Sequence, residues 1–201
     1  ADICRRVPAH APRTFREALQ HYWFIHLAVI TELNPWDSFN PGRLDQHLLP
    51  FYRKDILEGT TTPEQARECL HCFWIKFNNH PSPPKVGVTA QESNTYTDFA
   101  LINLGGLTEK GEDAVNELSY LILEVIQEMR LLQPGSMIQL SKHNPDAFVH
   151  KALDIIKTGF GQPSIFNTDV IIEELTRQGK TLEDARNGGA SGCVESGAFG
   201  C

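Results

Sequence analysis

Apolar residues recur at three- and four-residue steps through several long stretches of the chain, and this spacing predicts amphipathic helices. The first stretch, residues 12–33, has Pro12 in its first turn and ends where Asn34 precedes a proline. The same pattern predicts helices over 43–57 (bent near Pro50), 63–78, 112–132, 146–158, 168–178 and 181–187, with Thr168 and Thr181 as N-caps.

Short apolar runs between these helices predict strands. They cover residues 99–104, 136–140 and 164–166, and the first is closed by a pair of glycines. Long helices alternating with short apolar strands are typical of an α/β fold in which both faces of the sheet are covered. Because no repeat and no change of composition divides the chain, residues 1–201 are interpreted as one unit.

Composition and charge exclude several functional classes. The chain has 201 residues, of which 41% are hydrophobic and 21% charged, as expected of a soluble globular protein. A net charge of −7 and a pI near 5.6, without a Lys/Arg cluster, argue against binding to nucleic acid. The sequence contains no apolar run of the roughly 18–20 residues that a membrane span needs, and no secretory signal. These features predict a cytoplasmic protein.

The five cysteines do not form the spacing of a disulfide framework. Cys69 and Cys72 lie in the predicted helix 63–78, where buried helical cysteines are favoured over a redox or metal-binding pair. No second Cys or His pair stands at zinc-ligand spacing, so no metal site is predicted.

The glycine-rich stretch 188–201 holds the best candidate for chemistry. In an extended segment, Cys193 and Glu195 would project from the same side of the backbone, about 6–7 Å apart. A neighbouring carboxylate raises the pKa of a thiol, which disfavours a thiolate nucleophile. Hydrogen-atom transfer instead uses the neutral thiol, and the carboxylate can then accept a proton. The alternative is a flexible tail with an inert cysteine.

Residues 191–195, Ser-Gly-Cys-Val-Glu, resemble the Gly-Cys-Val-Glu motif of the glycyl radical enzymes. Residues 34–46 resemble the segment that follows a long helix in the same family, and Phe99 falls where that family has an aromatic residue facing the substrate. The resemblance extends over essentially the whole chain. It implies that Cys193 forms a thiyl radical and that Glu195 is the general base.

The resemblance also implies a fold and a source for the radical. The family fold is a barrel of two five-stranded halves with the cysteine loop at its centre, and 201 residues supply a helix-rich portion of it. The Arg-Val-x-Gly-Tyr motif of the glycyl radical domain is absent. The expected fragment therefore binds no cofactor itself and is inactive alone. The glycyl radical would lie in a missing C-terminal part and be installed by a radical S-adenosylmethionine activase.

The residues after Glu195 most resemble the arylacetate decarboxylases, which convert substrates such as 4-hydroxyphenylacetate to p-cresol. Ser38 would then bond the carboxylate of a small aromatic acid and Phe99 would pack on its ring, whereas Asp37 is interpreted as structural. Cys201 departs from the decarboxylase pattern. A small iron–sulfur subunit and a homo-oligomer are compatible partners.

Two alternatives remain open at this point. One is a glycyl radical dehydratase or carbon–nitrogen lyase acting on a small polyol, hydroxyproline or choline. Such an enzyme needs polar groups that converge on hydroxyls or an ammonium, whereas a decarboxylase needs an apolar slot for the ring. The other is a non-catalytic helical binding module with a flexible tail.

Overall fold

A parallel sheet between layers of helix and hairpin organises the chain. The computed structural model describes residues 1–32, 40–79, 100–192 and 194–199. In chain order, the helices and strands are α1 (Asp2–Arg6), α2 (Phe15–Glu32), β1 (Gly42–Arg43), α3 (Leu44–His47), α4 (Leu49–Leu57), α5 (Pro63–Asn79), β2 (Leu101–Gly105), α6 (Glu117–Met129), β3 (Gly135–Leu140), α7 (Asp146–Ile156), β4 (Ser164–Asn167), α8 (Thr168–Arg177), α9 (Leu182–Arg186), β5 (Gly188–Ser191) and β6 (Glu195–Ala198).

The main sheet has four strands in the order β1-β2-β3-β4, all parallel. Parallel neighbours need a long crossover, and here α6 connects β2 to β3 and α7 connects β3 to β4. Strands β5 and β6 form a separate antiparallel hairpin in which Ser191 pairs with Glu195. The predicted α/β class is therefore confirmed.

One face of the main sheet belongs to the hydrophobic core. Ile102, Leu104 and Ile138 point to that face and are at most 1% exposed. They pack with α5, α6 and α7 through the large buried side chains Trp74, Phe77, Leu118, Ile122 and Phe148. Because side chains alternate along a strand, the residues between them face the opposite side, where the hairpin lies.

Most predicted helices and strands are present, with shifted ends. Helix α2 begins at Phe15 rather than at Pro12, because the Thr14 hydroxyl accepts the Glu17 N–H at 3.1 Å and caps the helix there. The predicted bend near Pro50 is confirmed as a break at Leu48 between α3 and α4. The short strand β1 was not predicted.

The predicted helix 112–132 is too long at both ends. Asn116 caps α6 by accepting the N–H groups of Leu118 and Ser119, so the residues before it form a loop. Arg130, with φ 47° and ψ 39°, ends the helix in the left-handed conformation. The apolar pattern continues past both points, which explains the error.

The two predicted N-caps differ in outcome. The side chain of Thr181 accepts the Asp184 N–H at 3.1 Å and caps α9, as predicted. The prediction for Thr168 was wrong, because Asn167 caps α8 and accepts the Val170 N–H at 3.2 Å. Thr168 is instead buried and donates its hydroxyl to the main sheet.

The interpretation of Cys69 and Cys72 as buried was only partly right. Cys69 is half-buried, and burial raises the pKa of its thiol, whereas Cys72 is exposed. Both lie on α5, away from the hairpin. Within the described ranges, no helix has the length and apolar character needed to cross a membrane.

Candidate functional site

The hairpin β5–β6 is seated on the face of the main sheet opposite the core. Two polar side chains, Asn103 on β2 and Gln139 on β3, reach it from the strands and are at most 2% exposed. The Asn103 amide donates to the Ala190 carbonyl and accepts the Ala190 N–H, both at 3.0 Å. Gln139 donates to the Gly188 carbonyl, also at 3.0 Å.

The close seating explains why a glycine stands at position 189. A Cβ atom on Gly189 would lie 2.4 Å from both Asn103 Oδ1 and Gln139 Nε2, so no larger residue fits there. Across the hairpin, a Cβ atom on its partner Gly197 would meet no described atom within 4 Å. Because directly paired residues project to the same face of a hairpin, β5 lies against the sheet on this face, whereas β6 at Gly197 does not.

Arg43 secures the chain just before the hairpin. Its guanidinium, on β1, donates to the Arg186 carbonyl at 2.9 Å and to the Gly105 carbonyl at 2.8 Å. Gly105 is the last residue of β2, while Ala190 lies beside Asn103, two residues earlier on that strand. The hairpin therefore runs from the carboxyl ends of the strands towards their amino ends.

A buried carboxyl group holds β1 and α3 to the rest of the sheet. Asp45 is 0% exposed and accepts the Gly105 N–H at 2.9 Å and the Ser119 hydroxyl. Burial raises the pKa of Asp45, and its hydrogen bonds and the nearby Arg43 only partly offset this. Asp45 thus fixes the position of the strand from which Arg43 holds the hairpin.

Glu195, one of the two predicted catalytic residues, begins β6 and is exposed. Its Oε2 atom accepts the Val194 N–H at 3.0 Å. Gly192 has φ +55°, and a Cβ atom there would lie 2.6 Å from the same oxygen. This carboxylate therefore packs over the turn, and a glycine is needed beneath it.

The other three predicted site residues, Cys193, Ser38 and Phe99, lie outside the described residues. Gly192 and Val194, the described residues on either side of Cys193, are turn residues between the paired Ser191 and Glu195. The spacing of Cys193 and Glu195 stays a prediction.

The described neighbours of these three residues approach one another. Asn40, next in sequence to the segment that holds Ser38, accepts the Leu101 N–H at 2.8 Å, close to position 99. Both lie at the amino ends of β1 and β2, the end towards which the hairpin runs. Asn40 and Leu101, the described neighbours of the segments that hold Ser38 and Phe99, therefore lie at the end of the sheet towards which the hairpin runs.

A cavity of about 370 Å³ opens at that place. It is lined by Asn40, Pro41, Gly42, His47, Ser191, Gly197, Ala198 and Phe199. Asparagine, histidine and serine side chains offer hydrogen-bonding groups, and the phenylalanine offers one apolar wall. The cavity can therefore hold a small ligand that has both polar groups and an apolar face.

His47 is the titratable group of this cavity. His47 is exposed on one side, but desolvation of the rest of its ring and the positive charge of Arg43 lower its pKa below 6.5, while a hydrogen bond with Pro41 opposes the shift. The imidazole is therefore neutral near pH 7 and able to donate or accept a hydrogen bond. Among the described residues, no group of three or more His, Cys, Asp or Glu is placed to hold a metal ion.

Sequence reasoning missed Asn103, Gln139, Arg43 and the hairpin itself. A signal for the first two exists, because each is a single amide within an apolar strand, Leu-Ile-Asn-Leu and Met-Ile-Gln-Leu. A buried amide requires a hydrogen-bonding partner. The identity of that partner, 87 residues away for Asn103, depends on the tertiary fold.

Comparison with known proteins adds to this geometry. A family model described as pyruvate formate lyase-like matches residues 1–201. Trans-4-hydroxy-L-proline dehydratase of Clostridioides difficile is 56% identical over 200 residues, which cover 100% of this chain and 25% of that protein. Indoleacetate decarboxylase of Tractidigestivibacter scatoligenes is 36% identical over 206 residues, covering 100% of this chain and 23% of that protein.

Solved structures give the same picture. The crystal structure of the hydroxyproline dehydratase from Clostridioides difficile, with trans-4-hydroxy-L-proline bound, matches with a TM-score of 0.92 at 56% identity, covering 100% of this chain and 25% of that one. The chain thus spans about a quarter of the length of the curated relatives that it matches.

Proposed function

This chain belongs to the pyruvate formate lyase-like family of glycyl radical enzymes, and on that premise we propose that it forms part of a dehydratase acting on a small hydroxylated substrate. The first candidate substrate is trans-4-hydroxy-L-proline. The resemblance drawn from the cysteine motif is confirmed, and so is the fold that it implied, a helix-rich portion of the glycyl radical enzyme barrel.

The observation that carries the proposal is the 56% identity to a hydroxyproline dehydratase over the full chain. Identity to the indoleacetate decarboxylase is 36% over a similar span. The comparisons therefore favour the dehydratase alternative over the arylacetate decarboxylase that the residues after Glu195 first indicated. The polar groups of the cavity beside the hairpin agree with a hydroxylated substrate better than with a purely apolar ring slot.

In the proposed reaction, the chemistry of this chain is divided between two residues of the hairpin. The neutral thiol of Cys193 would first give its hydrogen atom to the radical supplied from outside this chain. The resulting thiyl radical would take a hydrogen atom from the substrate carbon and later return a hydrogen atom to the product radical. Glu195 would accept or return a proton, and the overall reaction would be loss of one water molecule from the substrate. A thiol next to a carboxylate suits this division, because hydrogen-atom transfer does not require the thiolate.

The roles predicted for Ser38 and Phe99 also suit hydroxyproline. This amino acid has a carboxylate, for which Ser38 is the proposed hydrogen-bond donor, and a ring with an apolar face, for which Phe99 is the proposed contact. The change of substrate class therefore keeps both residues in the proposed site.

The rest of the machinery is proposed for the complete protein. A glycyl radical outside this chain, installed by a radical S-adenosylmethionine activating enzyme, would generate the thiyl radical on Cys193. This chain would contribute the hairpin, the substrate contacts and the shielding of the radical from water. We propose no cofactor bound by residues 1–201.

A substrate panel tests the proposal. The complete protein would be activated anaerobically with its activating enzyme and incubated with trans-4-hydroxy-L-proline, glycerol, choline, 4-hydroxyphenylacetate and indoleacetate. We expect dehydration of hydroxyproline with kcat/KM at least tenfold above that for the other compounds. Release of carbon dioxide from an arylacetate, without dehydration of hydroxyproline, would overturn the proposal and restore the decarboxylase.

A further inference from the structure

Two buried amides on the main sheet have no part in the proposed chemistry. Asn103 and Gln139 are 0% and 2% exposed and lie on the sheet face that carries the hairpin. An apolar side chain at either position would fill the same space without a need for partners. Each of the two amides instead has hydrogen-bond partners in the hairpin, which gives it a position-dependent contact that an apolar side chain would lack.

The two amides form one connected network under β5. Gln139 Nε2 donates to Asn103 Oδ1 at 3.1 Å and to the Gly188 carbonyl at 3.0 Å. Asn103 forms two hydrogen bonds with Ala190: its amide donates to the Ala190 carbonyl and accepts the Ala190 N–H. The Thr168 hydroxyl donates to Gln139 Oε1 at 3.3 Å, which sets the orientation of that amide.

This network constrains three things: the position of the hairpin along the strand, its angle and its distance from the sheet. The paired bonds to Ala190 set its position along the strand, and the bond to Gly188 sets its angle. The absence of a side chain at Gly189, directly above both amides, allows the backbone to approach as closely as it does. Hydrogen bonds shielded from water are directional and resist sliding more than apolar contacts do.

We propose that Asn103 and Gln139 are positioning residues that set the depth at which the hairpin presents Cys193 and Glu195 to the substrate. This inference rests on the proposed radical function of the hairpin. Hydrogen-atom transfer requires the two heavy atoms to meet at short range, and a misplacement of about 1 Å can cost about 10²-fold in rate. Ala190 is only three residues before Cys193 in sequence and pairs with Ser196, next to Glu195, so a shift at the amide network displaces the hairpin that carries the reacting pair.

The test uses the activated complete enzyme with Asn103→Ala and, separately, Gln139→Met, which keeps a similar shape but removes the donors. The glycyl radical content is measured by electron paramagnetic resonance, and kcat is expressed per radical. We expect kcat per radical to fall by about 10²-fold, with KM and radical content within about twofold of wild type.

A matched control is Asn144→Ala. Asn144 is also buried, and its amide donates to the Gly106 carbonyl at 2.8 Å and to Asp113 at 2.7 Å, so the hydrogen bonds of its amide nitrogen among the described residues go to other segments than the hairpin. This variant removes a comparable buried amide. It is expected to lower the melting temperature as Asn103→Ala does, while kcat per radical stays near the wild-type value.

Hydrogen exchange of the unactivated complete enzyme gives a readout that needs no substrate. We expect the Ala190 amide to exchange faster in both positioning variants and at the wild-type rate in the control. Faster exchange with unchanged kcat per radical would overturn the positioning role, as would unchanged exchange. Failure of the substrate panel alone would overturn the hydroxyproline assignment and leave this exchange result standing.

Discussion

At the scale of single residues, buried polar groups lie where the main sheet holds the hairpin and its own strands in place. Arg43, Asp45, Asn103 and Gln139 are all at most 2% exposed, and each has partners in another segment of the chain. Such groups cost free energy unless they are paired. Most of their hydrogen bonds go to the first part of the hairpin, to the residues just before it or to the strands beneath it.

The first prediction at this scale concerns the reacting pair. In the activated complete enzyme, Cys193→Ser should abolish turnover, because the O–H bond of serine is too strong to exchange hydrogen with carbon. Cys72→Ser, at an exposed thiol on α5, is the control and should leave turnover unchanged. Substantial turnover by Cys193→Ser in a substrate assay would exclude a thiyl mechanism.

Glu195→Gln separates proton transfer from radical formation. Loss of a general base lowers the rate by about 10²–10⁴-fold, and we expect a loss of kcat in that range. The glycyl radical signal should keep its intensity, since the amide has nearly the same shape. A loss of the radical signal in parallel with turnover would show that Glu195 acts before the substrate step.

The buried Asp45 predicts a pH dependence of stability. Its pKa is raised above 3.8 in the folded protein, so the unfolded chain releases this proton at lower pH. The contribution of Asp45 to the free energy of unfolding is therefore greatest below about pH 3.8 and declines as pH rises to the folded pKa. The direction of the pKa change alone thus fixes the sign of the effect.

Asp45→Asn removes this titration. The melting temperature of wild type minus that of the variant should fall between about pH 4 and pH 7 in the complete protein, measured by calorimetry. Asp154→Asn, at an exposed carboxylate on α7, serves as the control. A difference that rises with pH would contradict the raised pKa of Asp45.

At the scale of elements, two paired glycines show which strand of the hairpin lies against the sheet. Gly189 and Gly197 are paired across β5 and β6, but only Gly189 lies against the sheet. Gly189→Ala should lower the melting temperature of the complete protein and speed exchange of the hairpin amides. Overpacking of this kind costs about 1–3 kcal/mol.

Gly197→Ala is the internal control for that prediction, because its added methyl group meets no described atom of this chain. We expect it to change stability by no more than about 0.5 kcal/mol. Equal destabilisation by the two substitutions, measured by thermal unfolding, would contradict the seating of the hairpin on its Gly189 side.

The elements also show what the sequence pattern could predict. Helices α5 and α7 were predicted within two residues at each end, because their apolar periodicity ends where the helix does. The hairpin was not predicted, since Gly-Gly-Ala-Ser and Glu-Ser-Gly-Ala lack the β-branched and aromatic residues that favour strands. Its pairing depends on the amides of Asn103 and Gln139, which only the fold brings to it.

The candidate site likewise has one part that the sequence predicts and another that depends on the fold. The Gly-Cys-Val-Glu motif correctly indicated the family, because a motif of this kind is local in sequence, whereas the roles of Cys193 and Glu195 stay predictions. The amides that seat the hairpin come from β2 and β3, at least 49 residues away, and no local pattern connects them to it. The family was therefore predictable from a local motif, and the tertiary contacts that support the hairpin were not.

At the scale of the whole molecule, the site in this chain is open on one side. Gly188, Gly189 and Ala190 are buried against the sheet, whereas Val194 is 67% exposed at the far end of the hairpin. This chain spans about a quarter of its relatives' length. A radical intermediate must be shielded from water, so we expect the remaining polypeptide to cover this exposed end.

Thiol labelling of the complete native enzyme tests that expectation. Alkylation of Cys193, followed by mass spectrometry of its peptide, should be at least about 10²-fold slower in the native protein than in urea, because reaction would require local opening. Cys193→Ala identifies the correct peptide, and bound substrate should slow labelling further if the thiol faces the substrate cavity. Rapid labelling in the native, substrate-free enzyme would place the cysteine at an open surface. A thiyl radical there would be quenched by solvent-borne reductants, so this result would contradict the catalytic role of the hairpin itself, whichever substrate the enzyme uses.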